Sequence, residues 1–316
     1  MNSFFMNRER QLSEMSLVLA LISNGCTYEQ TKKIIGCKQN SMHALVSHYF
    51  GKSKSVYENI RKALSDEQCL RIWLMIQNEK AELERKYITK LIYPCFICIF
   101  TFVSLLFFKF TLLSKVRTMF DYGGNDLTFI LFNFMCYALL TLYMFLILLY
   151  LIIRYFLHNP NTRNYLYLTL FAKFKDNLLT VHSSGLFSKI LLECFRAGIS
   201  TQNSLDILGK FSEFPFVMLL ARNCSLRLFE GNTFTHAITT IETDSSFKIF
   251  IQLGLYANKV IEQLSNYCTF NINLFDSKMK KLLSLFYTFV YVQFFIAVIL
   301  IYQIIQIPMA AISSKI

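Results

Sequence analysis

The sequence predicts an all-α membrane protein with two cytoplasmic helical-bundle repeats and three transmembrane helices. Three observations lead there. Of the 316 residues 54% are hydrophobic and only 16% charged, and the mean hydropathy is +0.40, whereas soluble domains carry about a quarter charged residues. Three apolar runs are each long enough to cross a bilayer, and polar basic blocks flank them. A helix–glycine–helix pattern occurs twice, once in each block.

The first polar block is residues 1–90. In Leu12–Ile35 the apolar positions include Leu17, Val18, Leu21 and Ile22; Gly25 stops that helix, and Thr27 followed by Gln30 reads as a capping box. A linker with Gly36 and Asn40 leads to helices through Met42–Phe50 and Val56–Leu64. Glu67–Lys90 then carries Trp73, Ile76 and Leu83 on one side and charges on the other. The block suits a small helical bundle. Residues 91–113, LIYPCFICIFTFVSLLFFKFTLL, form the first span, about 35 Å as a helix. Its one charge, Lys109, lies near the far end, where it can snorkel.

Residues 114–126 make a short loop with two bases and two acids, and 127–155 form the second span. His158-Asn159-Pro160-Asn161 breaks that helix. The second polar block, 156–281, contains FSKILLECFRAGISTQNSLDIL, Phe187–Leu208. Phe187, Ile190, Leu191, Cys194 and Phe195 share one helical face, Gly198 is suited to a left-handed stop, and Ser200 can cap the next helix with Leu205 and Leu208. Gly25 and Gly198 are 173 residues apart, and Leu17, Val18, Leu21 and Ile22 superpose on Ile190, Leu191, Cys194 and Phe195. Further on, Phe229-Glu230-Gly231-Asn232-Thr233 precedes a helix through Ala237 and Ile241, and another helix is expected from Phe247 to Tyr267. Phe50-Gly51-Lys52-Ser53 takes the matching place in the first copy. The third span, 282–308, follows Lys278, Lys280 and Lys281 and is closed by Pro308.

The net charge is +12, but the bases are spread among acids. Residues 1–90 hold 14 Lys/Arg and 9 Asp/Glu, and residues 158–281 hold 13 and 9. This is the positive-inside pattern: both blocks and the N-terminus are expected in the cytoplasm, with the 114–126 loop and the 309–316 tail outside. No basic cluster interleaves with aromatics in a nucleic-acid module, so direct nucleic-acid binding is not expected. Nine Cys and no long apolar segment at MNSFFMNRERQ point to free thiols on a reducing face and no cleaved signal peptide.

Catalytic chemistry finds no support. Gly51-Lys52-Ser53 resembles the end of a phosphate-binding loop, but Val46 stands where the leading glycine belongs. Cys95 and Cys98 lie inside an apolar run with no second pair, which favours packing, and His43 and His48 are five apart. No nucleophile triad is visible and no acid lies in any span, against a proton-coupled carrier. No enzyme activity, cofactor or metal is expected; a small polytopic carrier or membrane enzyme is the alternative. Gln293, Gln303 and Gln306 are the polar groups of the last span, suited to hydrogen bonds between helices of neighbouring protomers or to lining a groove for a passing segment. Lys210, Arg222 and Arg227, among few acids, are candidates for docking an acidic partner face.

The layout resembles the inner-membrane platform proteins of type II secretion and type IV pilus systems, the F family. The residues that carry the resemblance are FSKILLECFRAGIS, RLFEGNTFTHAI, and GLYANKVIEQL, which departs from the family pattern at Tyr256, Asn258 and Lys259. Tyr93-Pro94 and Ile307-Pro308 add to it. The composition and short N-terminus look most like the competence-pilus version of Gram-positive bacteria. The resemblance implies structural roles for Gly25, Gly51, Pro94, Gly198, Gly231, Gly254 and Pro308. It further implies a hexameric secretion ATPase, pilin-like subunits and membrane lipid as partners, a homo-oligomer, and a part in DNA uptake.

Overall fold

The computed structural model describes residues 2–36, 41–49, 58, 61, 64–113, 115, 127–158, 165, 169, 176–211 and 214–313. All regular elements among them are helical. In chain order they are α1 (Asn2–Ser23), α2 (Tyr28–Ile35), α3 (Met42–Tyr49), α4 (Asp66–Leu83), α5 (Thr89–Phe107), α6 (Leu127–His158), α7 (Leu178–Arg196), α8 (Thr201–Leu208), α9 (Pro215–Phe229), α10 (Phe234–Thr240), α11 (Ser245–Tyr256) and α12 (Val260–Ser313). Two π-helical turns, Glu84–Ile88 and Phe108–Leu113, flank α5. Gly51, the Gly51-Lys52-Ser53 motif, most of the expected Val56–Leu64 helix and most of the 114–126 loop lie outside the described residues.

Residues 1–85 and 164–278, read from the sequence as parts of two bundles, form one compact unit. A single apolar core joins Leu12, Met15, Val18 and Trp73 to Phe187, Leu220, Phe247 and Tyr267. The aromatic centre is edge-on: Phe187 and Phe247 lie 5.9 Å apart and Phe247 and Tyr267 5.2 Å apart by ring centroids. The α4 helix joins this core through Cys69, Leu70, Trp73 and Ile76, and its Lys80 sits over the Phe214 ring. The partly buried Glu79 carboxylate pairs with Lys189 of α7.

The helix stops follow one physical rule. At Gly25, Gly198 and Gly231 φ is +87°, +73° and +86°, a region that costs other residues about 1–2 kcal/mol. Each glycine is followed by two crossed backbone bonds of the Schellman type; at Gly198 they are Ile199 N–H to Cys194 O and Gly198 N–H to Phe195 O. Two residues after each glycine, Thr27, Ser200 and Thr233 cap the next helix by accepting from the backbone amide three residues on. At Thr27 the capping box is complete.

Several expectations need correction. Leu17 is 52% exposed while Leu12, Met15 and Val18 face inward, because α1 meets α4 along that stripe. Leu17 therefore differs in burial from Ile190, on which the sequence superposes it. The expected Phe247–Tyr267 helix is interrupted: Asn258 takes a left-handed φ of +53°, so α11 ends at Tyr256 and α12 begins at Val260. Asparagine tolerates that conformation better than other side-chain-bearing residues. Nor does Pro308 close the last helix, which continues to Ser313.

Four helical stretches among the described residues are long and apolar enough to cross a membrane: Asp66–Thr111, Ile130–Ile152, Leu178–Arg196 and Val260–Gln306. Leu178–Arg196 stands apart from the others. It is 67% buried, against 11–22% for the rest, so protein already covers its apolar surface.

The second unit is residues 86–163 and 279–316. Its small core joins Leu105 of α5, Phe132, Cys136 and Leu139 of α6, and Ala297, Leu300 and Ile304 of α12. Its outer surface is apolar, with Phe96, Ile99, Phe134 and Phe295 each more than 60% exposed, as suits a lipid solvent and not water.

Two glycines of α7 and its turn predict different costs. A Cβ on Gly185 would lie 2.0 Å from Asn271 Oδ1, whereas one on Gly198 meets nothing within 4 Å. Gly185→Ala should therefore cost about 3 kcal/mol through overpacking and lost buried hydrogen bonds; Gly198→Ala should cost about 1–2 kcal/mol of backbone strain. Thermal unfolding in detergent should rank them so, with Asn271→Ala recovering part of the Gly185→Ala loss but none of the Gly198→Ala loss.

Candidate functional site

Gly185 is small because α12 crosses α7 at that point. The crossing is fixed by buried polar groups that sequence periodicity did not reveal. Asn271 donates from Nδ2 to Val181 O and to the Tyr267 hydroxyl, each at 2.9 Å. Tyr267 in turn donates its hydroxyl to Asp244 Oδ2. Asp244 is fully buried; it caps α11 by accepting from Phe247 N–H at 2.9 Å, and its own N–H donates to Ser184 Oγ at 3.0 Å. One aspartate, through its carboxylate and its backbone N–H, thus ties α7, α11 and α12 together. Beside it, Asp176 accepts from the Ser245 N–H and hydroxyl, and its carbonyl accepts from Lys278 Nζ.

Burial pushes the Asp244 carboxyl above its ordinary range, and the Asp176 charge adds to that; the donations from Tyr267, Phe247 and Ser246 oppose it. Burial and the neighbouring Asp244 also push the Tyr267 hydroxyl up, so it remains the donor. With the folded pKa raised, the folded state holds the Asp244 proton to higher pH than the unfolded chain does. The stability this lends is fully present below the unfolded carboxylate value of about 3.9 and is lost as pH rises through the folded value. Asp244→Asn should therefore gain stability relative to the parent as pH rises from about 4.5 to 7, read from paired thermal melts. A difference that stays flat over that interval would contradict the assignment.

In the second unit Pro94 explains a contact of its own. Proline at this helix position has no N–H for the carbonyl four residues back, which is Lys90. That carbonyl accepts instead from the Tyr287 hydroxyl of α12 at 2.7 Å. Gln293 is 5% exposed and exchanges hydrogen bonds with Tyr143 of α6, its Nε2 donating to the phenol at 2.9 Å, while Cys98 Sγ of α5 donates to its Oε1 at 3.7 Å. These two partners lie on α6 and α5 of the same chain. Gln306 donates to Tyr302 one turn away. Lys109, expected to snorkel, holds its ammonium 3.6 Å from the centroid of the Tyr137 ring. Tyr287→Phe should cost about 1 kcal/mol of stability in detergent but almost nothing once Pro94→Ala restores the missing N–H. A double-mutant cycle measures this.

Of the glycines singled out from sequence, Gly254 is not a stop. It is buried within α11, and a Cβ there would lie 3.0 Å from Val260 Cα, where the chain folds back after Asn258. Lys210 and Arg222 are exposed, and the Arg222 stem lies 3.7 Å from the Cβ position of Gly209, the residue before Lys210. Arg227 is half-buried and five residues from Arg222, about 140° around α9. The structure therefore splits that trio. Leu226 and Phe229, 59% and 73% exposed, share the Arg222 face instead, at i+4 and i+7. An apolar stripe in the sequence is normally assigned to the core, so nothing there marks these two as outward-facing.

Among the described residues no group of His, Cys, Asp and Glu could hold a metal ion. Cys95 is exposed and Cys98 buried, so the pair does not converge. The His43 imidazole faces Glu58 at 3.2 Å. The described cysteines are free thiols, and burial pushes the Cys194 and Cys224 thiols up to about 12, which keeps them protonated and inert.

No curated protein matches the chain. The family model described as "Type II secretion system (T2SS), protein F" matches residues 187–308. That stretch runs from within α7 through the Gly198, Gly231 and Asn258 turns and along α12 as far as Pro308. Over residues 187–308 this chain is thus similar to protein F of the type II secretion system.

Proposed function

We propose that the protein is a non-enzymatic, multi-pass platform of the inner (cytoplasmic) membrane on which a type IV-like pilus or a type II secretion pseudopilus is assembled. The observation that carries this reading is the family match over residues 187–308, which includes both a water-suited bundle and an apolar helix. In this reading residues 91–113, 127–155 and 282–308 cross the bilayer. The unit of residues 1–85 and 164–278 faces the cytoplasm with the N-terminus, and the 114–126 loop and 309–316 tail lie outside. Burial of Leu178–Arg196 within the bundle supports three crossings over four.

The cytoplasmic unit couples a hexameric secretion ATPase to the extraction of pilin-like subunits from the membrane, and the chain works as a homo-oligomer. The fibre is a competence pilus supporting DNA uptake in transformation, with the DNA handled by the assembly and not by this chain. The repeated Gly-x-Ser/Thr turns at Gly25 and Gly198 support an internal duplication of the bundle-plus-span unit.

The experiment joins topology to coupling. A reporter fused within 118–124 should be external and one fused after Leu208 internal; the opposite pattern removes the cytoplasmic assignment. Cells lacking the chain should assemble no fibre, and the ATPase should co-purify with the full chain. Normal fibres without the chain would end the platform reading.

A further inference from the structure

Lys109 is the one charge within residues 91–113, and no Asp or Glu occurs in residues 91–113, 127–155 or 282–308. The buried stripe of α5 is Pro94, Cys98, Thr101 and Leu105. Lys109, four residues beyond Leu105, continues that spacing but is only half-buried. It stands in the π-helical turn Phe108–Leu113. Such a turn holds one residue more than an α-turn and shifts its side chains off the stripe, a device frequent at functional sites. The Lys109 ammonium lies 3.6 Å from the centroid of the Tyr137 ring on α6. Tyr137 is 60% exposed, and Phe134, one turn away on the same face, is 70% exposed. Among the described residues no carboxylate pairs with this ammonium.

The depth of this contact decides what kind of anion can reach it. The π-turn after α5 ends at Leu113 and α6 begins at Leu127, on either side of the 114–126 loop. Lys109 is four residues from Leu113, about 6 Å along the axis, and Tyr137 is ten residues from Leu127, about 15 Å. Helical side chains lean toward the N-terminus of their own helix. That takes Lys109 away from the loop and Tyr137 toward it. The two therefore meet about 10 Å inside an apolar layer about 30 Å thick, below the headgroup phosphates. An anion at that depth is carried by a membrane-embedded segment and not by a lipid headgroup. A second copy of this chain has no acid in its own apolar runs to supply it.

The geometry points to the Lys109–Tyr137 pair as a docking site for a transmembrane helix of another protein that carries one Glu or Asp within its apolar run. The inference rests on residues 91–113 and 127–155 crossing the bilayer, but not on which fibre is assembled. The carboxylate pairs with the Lys109 ammonium on the side the Tyr137 ring leaves open. Phe134 and Tyr137 give the incoming helix an aromatic surface to pack against. A charge of either sign is costly alone in the apolar layer, and pairing the two offsets both costs.

The test places the full chain in nanodiscs of zwitterionic lipid with a labelled leucine–alanine transmembrane peptide of about 23 residues. Association is read by energy transfer to a fluorophore on a tag after Ile316. Three versions of the peptide carry a single Glu, Gln or Lys about 10 Å from one end. The Glu peptide should associate at least about fivefold more tightly than the Gln peptide. Lys109→Met should bring that ratio to one, and Lys109→Glu should reject the Glu peptide and take the Lys peptide instead. Tyr137→Phe should keep the parent's preference, because the ring face remains, whereas Tyr137→Leu should lower it. Because Lys109→Glu exchanges one ligand for the other, a misfolded variant cannot mimic the result. A ratio of one in the parent, or a ratio unchanged by Lys109→Met, would overturn the proposal. So would loss of the preference when anionic lipid replaces part of the disc lipid, which would assign the ammonium to headgroups. An external reporter within 118–124 together with no peptide preference removes this inference and leaves the platform reading standing.

Discussion

One helix, Val260–Ser313, takes part in two environments with opposite demands. Its first third belongs to a unit whose surface carries charges, and its remainder to a unit whose surface is almost wholly apolar. A helix satisfies its own backbone in either solvent, so continuity costs nothing in hydrogen bonds. What must be supplied is a fixed rotation of the helix within each unit. In the compact unit the Asp244, Tyr267 and Asn271 chain of hydrogen bonds does this. Its partners are spread over α7, α11 and α12, so removing one member strands the others in a low-dielectric interior. In the apolar unit the same work falls to Gln293 and Tyr287, where hydrogen bonds are the directional interactions left once lipid and side chains are equally apolar.

Both polar sets are joined to backbone defects. Asp244 caps α11, whose first amides have no helical acceptors. Tyr287 serves a carbonyl that Pro94 leaves without a donor. Tertiary contacts here are placed where the helices themselves leave groups unsatisfied, so each contact both closes a local deficit and sets the register of a neighbouring helix. Gly185 belongs to the same arrangement: without a Cβ it lets the Asn271 amide reach the α7 backbone.

This arrangement ties helices to one another. Nothing in it activates a nucleophile, lowers a thiol pKa or gathers metal ligands among the described residues. On the surface of α9, Arg222, Leu226 and Phe229 are exposed along one stripe.

The sequence by itself determined the helix stops at glycine and the caps that follow them, but not the break at Asn258 or the run of α12 past Pro308. Gly25, Gly198 and Gly231, each followed two residues later by Thr or Ser, mark stops and starts because left-handed backbone and N-caps are local demands met by local residues. The apolar runs were equally legible, since length and hydropathy need no partner. Tertiary structure alone decided which faces are buried and which polar groups meet. Leu17 and Ile190 read alike in sequence, yet one is half exposed and the other buried, because only the second finds a neighbouring helix. Leu178–Arg196 is long and apolar enough for a span, though its mean hydropathy of 1.2 is below the 2.2–2.4 of the others, and it is set apart by being covered by protein. Asp244, Tyr267 and Asn271 carry no joint signature, since their meeting depends on how α7, α11 and α12 cross. The split of Lys210 and Arg222 from Arg227 follows from rotation about α9 and from Gly209, and burial of side chains at long sequence separation settles what periodicity leaves open.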